Sequence, residues 1–149
     1  MGSRGIFTIE TKTYSKPLEG KPTIHFDGDS VTVNGYKTPK PIVQASAQAQ
    51  WLSEQIEQST GHTHKVQPIV VFPGWFVTSQ PGIMRDNRVW VINPKGLPTF
   101  VDNSAQRLSS EESKLVAYHL SRYIRSNNQS SHLIQTSLLQ RICGDGTRR

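Results

Sequence analysis

The chain has 149 residues, enough for one domain with a real hydrophobic core, and its 34% hydrophobic and 19% charged content describes a folded domain with polar loops. One cysteine, Cys143, excludes an internal disulfide and a cysteine-based zinc centre within the chain, and no apolar stretch approaches a membrane span. The net charge of +6 and pI of about 9.7 suit a polyanionic partner such as nucleic acid, although many soluble domains carry as much and Arg148-Arg149 is too short to count as a basic run.

The start Met1-Gly2-Ser3-Arg4-Gly5 has no apolar signal region, so a cytoplasmic protein is expected. GIFTIETKT, residues 5–13, is rich in β-branched and aromatic residues and predicts a strand, with Phe7, Ile9 and Thr11 on one face and Ile6, Thr8, Glu10 and Lys12 on the other. After a polar loop, TIHF and SVTV flank Asp27-Gly28-Asp29, a hairpin signal. Thr38-Pro39-Lys40-Pro41 breaks the pattern and opens a helix from Pro41, whose apolar stripe is Ile42, Ala45, Ala49, Leu52 and Ile56 and whose end is Gly61. In VQPIVVF the run Ile69-Val70-Val71-Phe72 is apolar on both faces, as a central buried strand requires, and Pro73-Gly74 closes it. Val89 to Ile92 predicts another buried strand and Leu97 to Val101 a short one. Ser109 with Glu112 forms a capping box for a helix to about Arg125, buried through Val116, Leu120, Tyr123 and Ile124. This divides the chain into a domain over 1–126 and a polar tail over 127–149, with a short helix from about His132 to Ile142. The order strand, hairpin, helix, strand, strand, helix predicts one α/β domain. Neither common glycine-rich phosphate loop is present.

Glu10 and Lys12 are the sharpest candidates for chemistry. Two apart on a strand, they project from the same face, and the Thr11 carbonyl between them can turn toward the same site. A carboxylate and a carbonyl are hard oxygen ligands of the kind Mg²⁺ prefers, and a nearby ammonium can orient water and stabilise charge on a phosphate. A bare Glu-x-Lys is more often a surface ion pair. Asp27 and Asp29 bracket a turn, where aspartate is favoured for local hydrogen bonds. His62 and His64 read as loop histidines rather than metal ligands. Trp51, Trp75 and Trp90 are candidates to stack on bases, with Trp90 assigned to the core and Trp75, after Pro73-Gly74, expected to be the exposed one.

In sequence, GIFTIETKTY, a basic loop and hairpin, PIVQASAQAQWL, VQPIVVFPG and VWVINPKGL resemble the nuclease-related domain family of the PD-(D/E)xK, restriction-endonuclease-like superfamily, from about Gly5 to Val101. The resemblance implies a mixed sheet flanked by helices and a DNA-processing activity, metal-dependent phosphodiester hydrolysis in the complete form of the domain. It implies that Glu10 and the Thr11 carbonyl are Mg²⁺ ligands, that Lys12 is the catalytic lysine, and that Gln44 supports the site. In that family a metal-binding aspartate precedes the Glu-x-Lys strand. No acidic residue precedes Glu10 here, so the domain is expected to lack its first helix and strands, and its metal site to be weak. The alternatives are a non-catalytic module that binds nucleic acid or protein, and an inactive remnant.

Overall fold

The computed structural model describes residues 1–83 and 88–143, with side chains as far as residue 128. Residues 144–149 of the expected tail, Arg148-Arg149 among them, lie outside the described residues. The architecture is α/β, with its strands divided between two sheets.

The first sheet is parallel, in the order β1 (Ile6–Thr11), β5 (Val66–Val71), β7 (Trp90–Ile92). All six residues of β5 are buried, as the continuous apolar run requires of a strand covered on both faces. Its register pairs Ile6 with Val66 and Ile69 with Trp90. The second sheet is mixed, in the order β4 (Tyr36–Thr38), β3 (Val31–Val33), β2 (Thr23–Phe26), β6 (Phe76–Ser79). The β2–β3 hairpin is as expected, and Asp27 holds its turn by accepting from the backbone N–H groups of Asp29 (3.1 Å) and Ser30 (2.8 Å). Strand β4 was not foreseen. Val33 and Tyr36 pair across Asn34-Gly35, whose φ values of 49° and 80° are those of a two-residue hairpin turn that Asn-Gly favours.

Helix α1 (Lys40–Thr60) lies over β1 and β5. Ile42, Ala45, Ala49 and Ile56 are buried and Leu52 is partly so, matching the expected stripe, and Gly61 caps the helix in the left-handed region. The first half of the stripe joins Ile24, Phe26, Val31, Val70 and Phe72 in the main core. The second half joins Ile6, Val66, Leu108 and Val116. On the opposite face of the parallel sheet, Ile69, Val71 and Ile92 pack with Phe7, Trp90, Leu97 and Phe100.

Residues 97–101 are helical, not extended: α2 spans Leu97–Asp102. The Asn93 side chain accepts from the Lys95 N–H and starts a 3₁₀ turn over Pro94–Gly96 that runs straight into α2. Pro98 suits the first turn of that helix, where no N–H is needed. Helix α3 spans Ser110–Cys143 and begins with the expected capping box, Glu112 N–H to Ser109 Oγ at 3.1 Å and Ser109 N–H to Glu112 Oε2 at 2.7 Å. It continues past Arg125 without a break and takes in the short helix expected over 132–142. Ser121 and Ser126 donate to the carbonyls of Tyr118 and Tyr123, so these polar side chains are satisfied inside the helix. Val116 is fully buried, but Tyr123 and Ile124 are 37% and 58% exposed, because α3 meets the core only through its first turns.

The largest departure concerns Trp75. It is 2% exposed rather than a surface aromatic. Gly74 takes φ 77°, the Trp75 N–H donates to Phe72 O at 3.2 Å, and Asn93 Nδ2 donates to Trp75 O at 2.6 Å. This tight reversal turns the indole back into the core and launches β6 alongside β2. Removing that side chain should therefore act as a core truncation. Trp75→Ala is expected to cost about 3–5 kcal/mol, read as a lower urea midpoint, whereas a loss under about 1 kcal/mol would contradict the burial.

Candidate functional site

Strand alternation turns Ile6, Thr8, Glu10 and Lys12 toward α1. Lys12 lies one residue past β1, yet its N–H donates to Val71 O at 3.0 Å, so the ladder phase carries through it. Ile9 shares a face with Phe7 as expected but is 51% exposed, so only Phe7 contributes to the core there. On α1, Gln44 and Gln48 are one turn apart beside the buried Ala45 and Ala49. Two alanines at the contact let the helix approach the strand closely, which brings both glutamines within reach of Glu10 and Lys12.

The four side chains form one connected cluster. Lys12 Nζ lies 2.7 Å from Glu10 Oε1 and donates to Gln44 Oε1 at 2.6 Å. Gln48 Nε2 donates to Glu10 Oε2 at 2.8 Å. The Lys12 and Glu10 side chains retain 23% and 20% exposure, enough to meet a ligand and low enough to strengthen their attraction. Hydrogen bonding from Lys12, then from Gln48, holds the Glu10 carboxyl below the usual carboxylate range. An ammonium has three protons, and two of those on Lys12 are used, leaving one for a water or a phosphate oxygen. The Gln44 amide N–H groups have no partner among the described residues.

Thr11 points its side chain away from this cluster. Because Lys12 turns its backbone N–H to β5, Thr11, out of phase with it, turns its carbonyl to the other side of β1, where no described strand pairs.

Glu10, Lys12 and Gln44 are thus brought together as expected, and Gln48, which the sequence alone does not single out, joins them. Its signal was the four-residue spacing from Gln44. The remaining candidates fall elsewhere. Asp27 pairs with Lys37 at 2.6 Å, and that contact, with the two turn N–H groups, lowers its carboxyl from the usual 3.8 to about 2. His62 and His64 lie near Glu112, whose carboxyl is held low mainly by Ser109. Among the described residues no group of three or more His, Cys, Asp or Glu side chains is placed to hold a metal ion.

An α/β domain that displays Glu-x-Lys on a parallel strand, beneath a helix bearing a glutamine, has the architecture of the restriction-endonuclease-like fold. Residues 1–73 match the family model of the nuclease-related domain, and this part of the chain, which holds the whole cluster, belongs to that family. No curated protein and no solved structure matches the chain.

The hydrogen-bond order sets a titration test. Glu10 should titrate below 4.5 in carboxyl NMR, moving up most in Lys12→Met and less in Gln48→Leu. Because its pKa is depressed in the fold, the stability it lends should be full above the ordinary carboxylate pKa and lost as pH falls through the lower value. A Glu10 pKa unmoved by Lys12→Met would rule out the contact.

Proposed function

We propose that this domain carries out metal-dependent hydrolysis of phosphodiester bonds in DNA. The observation that carries the reading is the Glu10–Lys12–Gln44 contact inside a nuclease-related domain. Mg²⁺, when bound, supplies charge neutralisation at the phosphate and a water of lowered pKa. The Glu10 carboxylate and the Thr11 carbonyl are its protein ligands in this reading. Both Glu10 oxygens already accept hydrogen bonds, so these two groups would hold the ion weakly. Lys12 swings its ammonium from Glu10 toward the attacking water and the developing negative charge. Gln44 holds Lys12 through its carbonyl and offers its amide N–H groups to a phosphate oxygen.

The net charge of +6 supports a polyanionic substrate, and phosphate contacts of this kind weaken steeply as salt rises, because the gain from releasing counterions condensed on the nucleic acid shrinks. The single cysteine, Cys143, supports the cytoplasm as the proposed compartment; no described helix is long and apolar enough to cross a membrane.

Oligonucleotide cleavage at high protein concentration, with Mg²⁺ or with EDTA, tests the proposal. Slow, EDTA-sensitive cleavage is expected, reduced about a hundredfold in Lys12→Ala and in Glu10→Ala. Cleavage that persists in EDTA, or that both variants retain in full, would falsify the assignment.

A further inference from the structure

The flank of α1 that carries Gln44 and Gln48 continues, at alternating steps of three and four residues, to Trp51 and Gln55. Trp51 is 48% exposed. Its ring meets Tyr123 of α3, itself 37% exposed, with centroids 5.9 Å apart and planes at 65°. An edge-on contact uses one edge and one face, leaving the other ring faces to solvent. A tryptophan serving only the core looks different in this protein: Trp75 is 2% exposed.

Position and charge indicate what meets this pair. Trp51 is three residues beyond Gln48, a rise of ~4.5 Å along the helix, and Gln48 holds Glu10 at 2.8 Å. Lys12 donates to Gln44, seven residues or ~10.5 Å before Trp51 on the helix, and a nucleic-acid strand rises ~3.4 Å per nucleotide, so a base about three steps from a phosphodiester at Lys12 arrives at the aromatic pair. The same turns of α3 carry Arg122 and Arg125. Arg122 lies 5.8 Å from the Tyr118 ring and Arg125 donates to Ser121 Oγ at 3.4 Å, and neither pairs with a carboxylate among the described residues. The nearby Glu54 carboxylate accepts from Gln50 at 3.0 Å. A base inside a duplex has both faces covered by its neighbours, so the occupant is an unpaired base.

We propose that Trp51 and Tyr123 form a stacking platform for an unpaired base of single-stranded DNA running past the Glu10–Lys12 cluster. Its placement rests on the function proposed above, but stacking itself requires neither metal nor hydrolysis. The test therefore uses the full chain in EDTA, with fluorescence anisotropy of a labelled oligothymidylate of about twelve nucleotides, within the usual footprint of single-strand binders, alone and as a duplex with oligodeoxyadenylate. The single strand should bind more tightly than the duplex and should quench tryptophan emission. Trp51→Leu, which keeps an apolar contact with α3 but has no π face, should weaken single-strand binding on the order of tenfold. Trp51→Phe should stay within about threefold of the native chain. No preference for the single strand, or equal affinity of the Leu and Phe variants, overturns the platform. If that split is absent while Lys12-dependent cleavage persists, the platform alone fails. If the split is present while cleavage is absent, the hydrolytic reading alone fails.

Discussion

The contact of α1 with the β1–β5 pair is the constraint from which the rest of the molecule follows. Ile42, Ala45, Ala49 and Ile56 seat the helix, and the two alanines set how close it comes. A larger side chain at either position would lift the helix and separate the glutamines from the strand. The same stripe reaches both main hydrophobic clusters, so the helix that positions the polar cluster also joins the second sheet to the parallel one. The ordering entropy of four long side chains is thereby met by packing that the core requires in any case.

The polar cluster is internally neutralised at rest. Lys12 and Glu10 cancel each other's charge, and Gln44 and Gln48 occupy one donor and one acceptor site at its two ends. Such a network limits rotamer freedom, while each partner keeps unused capacity: a proton on Lys12 and the amide group of Gln44. In the proposed reaction, turning toward a phosphate would exchange one set of charge-assisted hydrogen bonds for another, so that no buried charge would be stranded.

Much of this was legible in the sequence because the relevant signals are periodic. The two-residue period placed Glu10 and Lys12 together, the helical period named the α1 stripe, and Gly61 and the Ser109–Glu112 box marked helix ends that the structure retains. The failures have local causes. Pro73-Gly74 signals a turn but not the direction in which the next side chain leaves it, and Trp75 leaves inward. LPTFV has the composition of a strand, but the Asn93 cap and the 3₁₀ turn before it commit the segment to a helix. Asn34-Gly35 is a turn signal masked by the stronger break at Thr38-Pro39. Gln48 was hidden by abundance, since α1 has glutamines on several faces and only the partner strand distinguishes them.

The pairing of β2 with β6 and of β5 with β7 bears on how the chain acquires this structure during synthesis. The part that matches the family ends at residue 73, but Trp75, Val89 and Val91 belong to the same core as Ile24 and Phe26. A nascent chain that has exposed only the matched part holds β1, β5 and α1 with an open hydrophobic face and β2 without its parallel neighbour. Closure awaits the emergence of β6 and β7, and contacts so distant along the chain form slowly because loop entropy must be met first. In the interval the apolar faces of β5 and of the hairpin are the surfaces on which chaperone binding or misassociation would concentrate.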